Sequence, residues 1–521
     1  MKQLPAVLLA TFFLSAAVLN GQEQTRREHP ASAESNETPG ATAHSANEPA
    51  KPTEPVDEKP VVTHHKIVVR GKTLSYTATT GFLPIKDDQG RAEARMFYVA
   101  YTLDASGPKR PLTFAFNGGP GSATIWLHMG CFGPKRVKMR PNGFMPPPPF
   151  EWEDNQNTIL DKSDIVFVDA IGTGYSRANT PELGKKFWSV SGDIAAFGEF
   201  IRLFLQKNTR WTSPVFLAGE SYGTTRAAGL SGYLVDHGIA LNGIILISTI
   251  LNFETVSFGI GNDLPYILFL PTYAATAAFH QKLGPELQRD PEALRLEAEK
   301  WAAGEYTLAL QQGDAIEAGT RQSVIDHLAR YTGLSKQYIA RCNLRVDLSH
   351  FDTELLRDET KIVGRLDGRF TAFNETATQQ TPEFDPSEAA IRPPYTAVFG
   401  DYVKQELGFQ SDSVYYVLGG GIGHWDFDTS RSGFADTSQA LRRAFAKNPF
   451  LQVYIAEGVY DAATPYFAVE YTFNHMGLTP EAHKNVTRGR YNAGHMIYID
   501  NESMMKLKQD VDALFDRSLA R

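Results

Sequence analysis

The feature that most constrains the fold is a series of short, continuously apolar runs, each ending in small or polar residues. A strand that is apolar at every position suits a sheet covered on both faces, because a half-exposed strand alternates apolar and polar residues. Amphipathic stretches separate the runs, as they do in α/β proteins. The sequence therefore predicts an α/β architecture with a central, mostly parallel sheet flanked by helices. The runs occupy residues 112–116, 165–168, 215–218, 244–247 and 453–456.

Three other stretches refine this architecture. Short β-rich segments between residues 66 and 103 predict antiparallel hairpins at the start of the sheet. Helical spacing of apolar residues over 194–204 predicts a crossover helix, with Ser191 and Asp193 as candidate caps. The interval between the runs at 244–247 and 453–456 is too long for a crossover, so residues 254–445 are expected to form a helical cap inserted over the carboxyl edge of the sheet.

The N-terminus has the pattern of a secretion signal. Lys2 precedes an apolar stretch, residues 4–19, that is too short to span a bilayer comfortably. We expect a cleaved signal peptide over 1–21, a secreted or periplasmic protein, and no stable membrane anchor after cleavage; a retained anchor is the alternative. Residues 22–62 are poor in large apolar side chains and predict a disordered leader. The catalytic core would then comprise residues 63–253 and 446–521, on either side of the cap.

Charge and cysteine content exclude some partners and leave other questions open. The net charge is −8 and no basic block occurs, so a nucleic-acid partner is not expected. Cys131 and Cys342 are the only cysteines, and they form either one bridge or two free thiols. The His64-His65 pair lacks companion metal ligands, and the glycine-rich stretch 419–423 is followed by His424 where a dinucleotide loop needs glycine. No metal or organic cofactor is implied, and the oligomeric state is not indicated.

The segment Gly219-Glu220-Ser221-Tyr222-Gly223 is the strongest catalytic signal. It follows the apolar run 215–218 and precedes a helical stretch, 224–235. A strand, a tight glycine turn and a helix would present the Ser221 hydroxyl above the sheet as a nucleophile. The alternative is an ordinary turn with an idle serine.

A serine nucleophile needs a base, and the base needs an acid, in the chain order Ser, Asp or Glu, His. His495 lies in a loop after a predicted strand at 486–491, whereas His475 and His483 lie in polar sequence typical of helices. His495 is therefore the expected base. Asp461 follows the run at 453–456 and is the expected acid, with Glu457 as its rival.

An oxyanion site is expected where a glycine-rich loop follows the run that ends at Phe116. In Asn117-Gly118-Gly119-Pro120-Gly121 the glycines let a backbone amide approach a tetrahedral oxygen. The predicted donors are the amides of Gly119 and Tyr222, the latter following the nucleophile.

Taken together and in order, these segments resemble the signatures of the serine carboxypeptidase family over roughly residues 90–515. The resemblance implies an α/β hydrolase fold with a helical insertion, and removal of C-terminal amino acids from peptides, usually best at acid pH. It implies the same catalytic roles for Ser221, Asp461 and His495. It also implies that Asn117 and Glu220 bind the substrate's C-terminal carboxylate. The matching segments are residues 117–121, 169–176, 219–223, Asp461 and 494–496.

The chain departs from that family in three respects. Phe116 and Ser122 stand where the family commonly has Trp and Cys, and the stretch at 169–172 is shortened. Two cysteines cannot form the several disulfides of eukaryotic members. These departures suggest a divergent, bacterial-type secreted member.

The sequence thus predicts a secreted serine-type carboxypeptidase that acts on peptides through an acyl-enzyme. An esterase or acyltransferase with the same triad is the alternative. An aminopeptidase acting after N-terminal proline fits less well because its elbow usually reads Gly-Gly-Ser-Trp-Gly, and a non-catalytic relative would be expected to have lost a triad member. If Glu220 is buried, its pKa should rise, so that at acid pH it donates a hydrogen bond to a substrate carboxylate. The alternative role for Glu220 is a surface ion pair with Arg226.

Overall fold

The computed structural model describes residues 59–104, 110–376, 378–429 and 433–520, all within one unit, Thr53–Arg521. The predicted signal peptide and the predicted leader up to residue 58 lie outside the described residues. The first strand begins at Val61, just inside the predicted leader.

Ten strands of the described chain form one sheet, and its central part is parallel. The order across the sheet is β1-β2-β3-β7-β4-β9-β10-β13-β14, with β8 paired to β3. The pairs from β7 to β14 are parallel, whereas those among β1, β2, β3 and β7 are antiparallel. The antiparallel β1, β2 and β3 correspond to the predicted hairpins. The sheet strands are β1 Val61–Val69, β2 Lys72–Lys86, β3 Ala92–Leu103, β4 Leu112–Phe116, β7 Asp164–Val168, β8 Arg177–Ala178, β9 Val215–Ser221, β10 Gly243–Thr249, β13 Gln452–Gly458 and β14 Val486–Tyr491.

Two further two-stranded ladders lie outside this sheet. β5 Lys135–Val137 pairs with β6 Trp152–Asp154, and β11 Lys361–Val363 pairs with β12 Thr371–Phe373. The helices are α1 Pro181–Phe187, α2 Val190–Lys207, α3 Tyr222–Asp236, α4 Leu264–Phe279, α5 Pro285–Gln288, α6 Pro291–Trp301, α7 Thr307–Leu310, α8 Ala318–Thr332, α9 Lys336–Arg341, α10 Leu348–Glu354, α11 Pro386–Gln405, α12 Ser438–Lys447, α13 Tyr466–His475, α14 Pro480–Lys484 and α15 Asn501–Leu519.

The central strands are buried on both faces, as their continuous apolar runs predict. Every residue of β10 is buried. Ile244 and Leu246 belong to the core beneath α2, α3 and α12, whereas Ile245 and Ile247 belong to the core with α11 and α15. The α/β architecture with a mostly parallel sheet is therefore confirmed.

Helix α2 forms where a crossover helix was predicted, but its cap differs. The Oγ of Ser189 accepts the amide of Gly192 at 3.0 Å and caps the helix. Neither Ser191 nor Asp193 is the cap, because the helix begins at Val190 and both residues lie inside its first turn. Asp193 is buried and forms an ion pair instead.

The long interval between β10 and β13 contains α4 to α12 and the β11–β12 hairpin. Helices α4, α6 and α8 share a hydrophobic core of their own, which includes Leu270, Leu294 and Leu328. Helices α11 and α12 pack instead into the two cores that cover the sheet. The predicted boundary at 445 falls inside α12. Helical periodicity could not place this boundary, because it does not show whether a helix packs on the sheet or within the insertion. The division into core and cap stays a prediction.

No helix in the part of the chain that the structure describes has the length and apolar character needed to cross a bilayer.

Candidate active site

Ser221 lies at a sharp turn between β9 and α3. Its backbone has φ 59° and ψ −133°, a left-handed conformation that is strained for a residue with a side chain. The flanking glycines are required by close packing. A Cβ on Gly219 would lie 2.3 Å from the carbonyl oxygen of Gly223, and a Cβ on Gly223 would lie 2.7 Å from that of Phe116. The segment therefore forms the strand–turn–helix elbow that the motif predicts.

His495 and Asp461 lie together at the carboxyl ends of β14 and β13. The Nδ1 of His495 and the Oδ2 of Asp461 are 2.8 Å apart, and both side chains are buried. Because Nδ1 is engaged by the carboxylate, Nε2 is the ring nitrogen left for a substrate or a nucleophile. Ser221 and His495 line the same pocket. The structure thus brings the three predicted triad residues together; their catalytic roles stay predictions.

The turn after Asp461 holds its carboxylate in place. Oδ1 accepts the amides of Ala463 and Thr464 at 2.9 and 3.0 Å, and Oδ2 accepts the Thr464 hydroxyl at 2.7 Å. The sequence analysis missed Thr464. Its position three residues after an aspartate, where side chain and backbone commonly close a turn, was the available signal.

Two opposing influences act on the imidazole. Burial lowers the pKa of His495, but the charge and hydrogen bond of Asp461, together with the charge of Glu220, outweigh it and raise the pKa above its usual value. The site therefore stabilises the imidazolium that forms when His495 takes a proton.

The loop after β4 packs directly against the elbow. A Cβ on Gly118 would lie 2.4 Å from the amide nitrogen of Tyr222, and Gly119 has φ 100°. Tyr222 is the first residue of α3, so its amide has no partner within the helix. Gly119 and Ser221 line the same pocket. This arrangement suits the predicted pair of oxyanion donors.

Glu220 is buried with only 3% of its surface exposed, and it lines the same pocket as Asn117 and Ser221. The hydroxyl of Tyr498 donates to its Oε2 at 2.6 Å. Burial raises the pKa of Glu220 to about 7, although His495 and hydrogen bonds from Tyr498 and Asn117 act in the opposite direction. The sequence analysis did not predict Tyr498; the only signal was a tyrosine in the same loop as the predicted base.

Arg226 does not pair with Glu220, so the alternative of a surface ion pair is wrong. Arg226 is fully buried, and its Nε donates to Asp193 at 2.7 Å. Its Nη1 donates to the backbone oxygen of Asn117 at 2.6 Å. Arg226, in α3, therefore connects α2 to the loop 117–121 that follows β4.

The pocket is open to solvent, and its space, including the solvent at its mouth, has a volume of about 620 Å³. Besides the residues already described, it combines apolar side chains with two charged side chains from the insertion. The apolar ones are Trp126, Leu366, Ile391, Leu418 and Met496, and the charged ones are Arg365 and Glu388. The Trp126 indole donates to Ser122 Oγ at 2.9 Å.

The glycine-rich stretch, the histidine pair and the cysteines noted in the sequence lie in the following surroundings. The Gly419 amide donates to the Gly121 oxygen at 2.9 Å, so the glycine-rich stretch 419–423 packs on the loop 117–121. His64 lies 3.0 Å from the Thr77 hydroxyl on the neighbouring strand. Among the described residues, no group of three or more His, Cys, Asp or Glu is arranged to hold a metal ion. Cys131 and Cys342 are free thiols, which resolves the two alternatives left by the sequence.

The sheet order, the elbow at Ser221 and the Asp461–His495 pair have the arrangement of the α/β hydrolase fold. Comparison with known families shows which family part of the chain is similar to. Residues 70–267 match the family model described as serine carboxypeptidase. That range includes Asn117, Glu220 and Ser221, whereas Asp461 and His495 lie beyond it.

Curated relatives carry the same description over short alignments. The chain is 29% identical to the retinoid-inducible serine carboxypeptidase of Rattus norvegicus over 150 residues, which are 27% of this chain and 29% of that protein. It is 27% identical to serine carboxypeptidase-like 51 of Arabidopsis thaliana over 195 residues, 34% of this chain and 38% of that protein. The matches thus span only about a third of these relatives.

Solved structures that align with the chain include a carboxyl esterase from Bacillus coagulans, with a TM-score of 0.36, 13% identity, and coverage of 84% of this chain and 99% of that one. A monoglyceride lipase variant from Saccharomyces cerevisiae aligns with a TM-score of 0.36, 11% identity, and coverage of 85% and 96%. Both TM-scores are too low to support an inference about function.

Proposed function

We propose that this protein is a serine carboxypeptidase that releases the C-terminal amino acid of peptides through an acyl-enzyme. The observation that carries the proposal is the position of Glu220, a buried carboxyl group in the same pocket as Ser221 and His495. The triad chemistry of ester hydrolysis does not itself require an acid beside the nucleophile. A carboxypeptidase needs a group there that accepts a free carboxylate.

A protonated Glu220 can do this because it donates a hydrogen bond instead of presenting a charge. With a pKa of about 7, Glu220 is mostly protonated in mildly acid solution. Asn117 adds an amide beside it, and its Oδ1 is already fixed by the amide of Leu127 at 3.0 Å. The Asn117 amide nitrogen has two hydrogens, one of which is directed to Glu220, so the second can donate to a substrate oxygen.

In the proposed reaction, acylation uses the three triad residues and the two oxyanion donors. Ser221 Oγ attacks the carbonyl carbon of the last peptide bond while His495 Nε2 takes the hydroxyl proton. The amides of Gly119 and Tyr222 donate to the tetrahedral oxyanion. The C–N bond breaks as His495 returns the proton to the leaving amine, and the free amino acid departs from the side of Asn117 and Glu220.

Deacylation uses the same groups. Water attacks the ester carbon of the acyl-enzyme and gives its proton to His495, and the proton then passes to Ser221 as the shortened peptide leaves. Asp461 keeps the imidazole in the tautomer with hydrogen on Nδ1 throughout, because its carboxylate accepts that hydrogen.

The same residues support a preference for acid pH. Above a pH of about 7 Glu220 loses its proton, and its carboxylate then repels the substrate carboxylate. Binding of a free C-terminus should therefore weaken as the pH rises.

We also propose that the protein is secreted or periplasmic, on the evidence of residues 1–21, and that it is a divergent, bacterial-type member. The two free cysteines support a departure from the disulfide-rich pattern of eukaryotic members. The relatives described above come from rat and a plant, so they lend the bacterial assignment no support.

The test compares three substrates: an N-blocked dipeptide with a free C-terminus, the same dipeptide as its C-terminal amide, and a simple ester. We expect the free acid to be cleaved with release of its last amino acid, the amide to be cleaved poorly, and Ser221→Ala to abolish all turnover. Equal rates on acid and amide would contradict carboxylate recognition. Turnover of the ester alone would favour the esterase or acyltransferase alternative.

A further inference from the structure

A short segment of the insertion, residues 364–370, contacts both loops that carry the acid and the base. The Leu366 oxygen accepts the amide of His495 at 2.7 Å. The Arg365 oxygen accepts the amide of Ala462, next to Asp461, at 3.1 Å. The loops of Asp461 and His495 are therefore both hydrogen-bonded to the backbone of residues 365 and 366, whose oxygens take no part in the proposed reaction.

Within this segment, Asp367 is a buried carboxylate with 3% of its surface exposed. Its Oδ2 accepts the amide of Gly494, the residue that precedes His495, at 3.1 Å. The Asp367 side chain thus makes a bond one residue away from the catalytic base, in addition to the backbone bond made by Leu366.

Arg369 completes the arrangement. Its Nε donates to Asp367 Oδ1 at 3.0 Å and its Nη2 donates to Oδ2 at 2.7 Å, a two-point pairing of guanidinium and carboxylate. Its Nη1 donates to the backbone oxygen of Asn492 at 2.9 Å. The ion pair therefore bonds the His495 loop at two points, Asn492 and Gly494.

The loop fits closely against the pair. A Cβ on Gly494 would lie 2.4 Å from the Cβ of Asp367 and 2.6 Å from its Oδ2. The Gly368 amide also donates to the Tyr460 oxygen at 2.9 Å, which fixes the segment to the turn before Asp461. A shift of Asp367 would be transmitted to the backbone of Gly494, and through it to the adjoining His495, because Asp367 packs directly against Gly494.

We propose that Asp367, held by Arg369, is a positioning residue that sets the place of the His495 imidazole relative to Ser221 and Asp461. The proposal rests on the proposed function only in requiring that His495 serve as the base for Ser221. Asp367 touches neither the substrate nor the reacting atoms. Its effect should therefore fall on the rate of the chemical step, since displacing a catalytic group by about 1 Å can cost about 100-fold in rate.

The test uses the full chain with Asp367→Asn, which keeps the size of the side chain but loses the charge that pairs with Arg369. A fluorophosphonate probe reports the reactivity of Ser221 without depending on the substrate. We expect the labelling rate to fall about 10- to 100-fold, and kcat for a peptide or an ester to fall to the same extent with KM unchanged.

The matched control is Asp263→Asn, because Asp263 forms a similar two-point pair with Arg345 at 2.6 and 2.8 Å within the insertion but does not line the pocket. Both variants should lower the melting temperature, whereas only Asp367→Asn should slow labelling. If Asp367→Asn does not fold, Arg369→Lys serves instead. It keeps the charge and loses the two-point geometry, so labelling should slow less than about 10-fold but measurably.

A folded Asp367→Asn that labels within about twofold of the wild type would overturn the proposal and leave the ion pair a structural role alone. Failure of the proposed function looks different. The wild-type protein would then label rapidly but would not release amino acids from peptides, and the labelling comparison would still decide whether Asp367 positions His495.

Discussion

The Glu220→Gln substitution is expected to change the pH dependence of peptide hydrolysis, because glutamine donates a hydrogen bond at every pH. Glu220 has a pKa of about 7, raised from 4.5 mainly by burial. About nine-tenths of the enzyme carries a protonated Glu220 at pH 6 and about a tenth does at pH 8. His495 titrates near the same pH and affects every substrate, so the informative quantity is kcat/KM for a peptide divided by kcat/KM for an ester. If only the protonated form of Glu220 binds a free C-terminus, this ratio falls about tenfold over that interval, a loss of about 1.4 kcal/mol in binding.

In the variant this alkaline fall of the ratio should disappear. The assay measures kcat/KM from pH 4 to 9 for an N-blocked dipeptide and for an ester without a carboxylate. The ester profile reports the titration of His495. It should move to lower pH in the variant, because the charge of Glu220 helps to raise the pKa of His495 in the wild type. The expected result is a peptide-to-ester ratio that falls with pH in the wild type and stays constant in the variant.

A matched control is Glu457→Gln. Glu457 is also buried, and burial raises its pKa to about 8, but it does not line the pocket. Its replacement should leave both pH profiles unchanged. A Glu220→Gln protein that keeps the wild-type alkaline fall of the peptide-to-ester ratio would refute the carboxylate-binding role of Glu220.

Three further substitutions test other parts of the site. Asp461→Asn should lower kcat by about 10³- to 10⁴-fold with little change in melting temperature, because the imidazole loses its fixed tautomer; a fall below tenfold would contradict the assignment. Gly118→Ala places a Cβ 2.4 Å from the Tyr222 nitrogen and should lower kcat about 100-fold in the same assay. Gly400→Ala, whose Cβ meets nothing within 4 Å, is its control and should keep full activity. Arg226→Met leaves the buried Asp193 unpaired and should lower the free energy of unfolding by about 3–5 kcal/mol, as measured by denaturant titration. Adding Asp193→Leu should recover part of that loss, and a double variant no more stable than Arg226→Met would contradict this explanation.

Much of the core fold could be predicted because its strands leave local signals. Five continuous apolar runs coincide with β4, β7, β9, β10 and β13, each followed by a turn or helix. The elbow at Ser221 and the loop at His495 were predictable for a similar reason. Each catalytic loop follows a strand of the parallel sheet, and parallel strands bring their carboxyl ends to one edge.

The insertion could not be predicted to the same degree. Helix-favouring composition in the stretches 285–310 and 322–331 indicates helices there, but it does not show the break of 285–310 into α5, α6 and α7. It also could not tell that α12 covers the sheet, because an apolar stripe shows that a helix is packed and not what it is packed against. Tyr498 and Asp367 were missed because their roles depend on contacts with residues that are distant in sequence, Glu220 and Gly494.

The backbone bonds from residues 365 and 366 to Ala462 and His495 bear on how such an enzyme can be redesigned. A loop that only shapes a pocket can be exchanged between homologues as a unit to change substrate preference. Here the insertion supplies hydrogen-bond acceptors to the amide of His495 and to the amide of Ala462, which follows Asp461. A chimera should therefore retain residues 364–370 with the recipient's own core and graft only the helices on either side, so that specificity is transferred without disturbing the base.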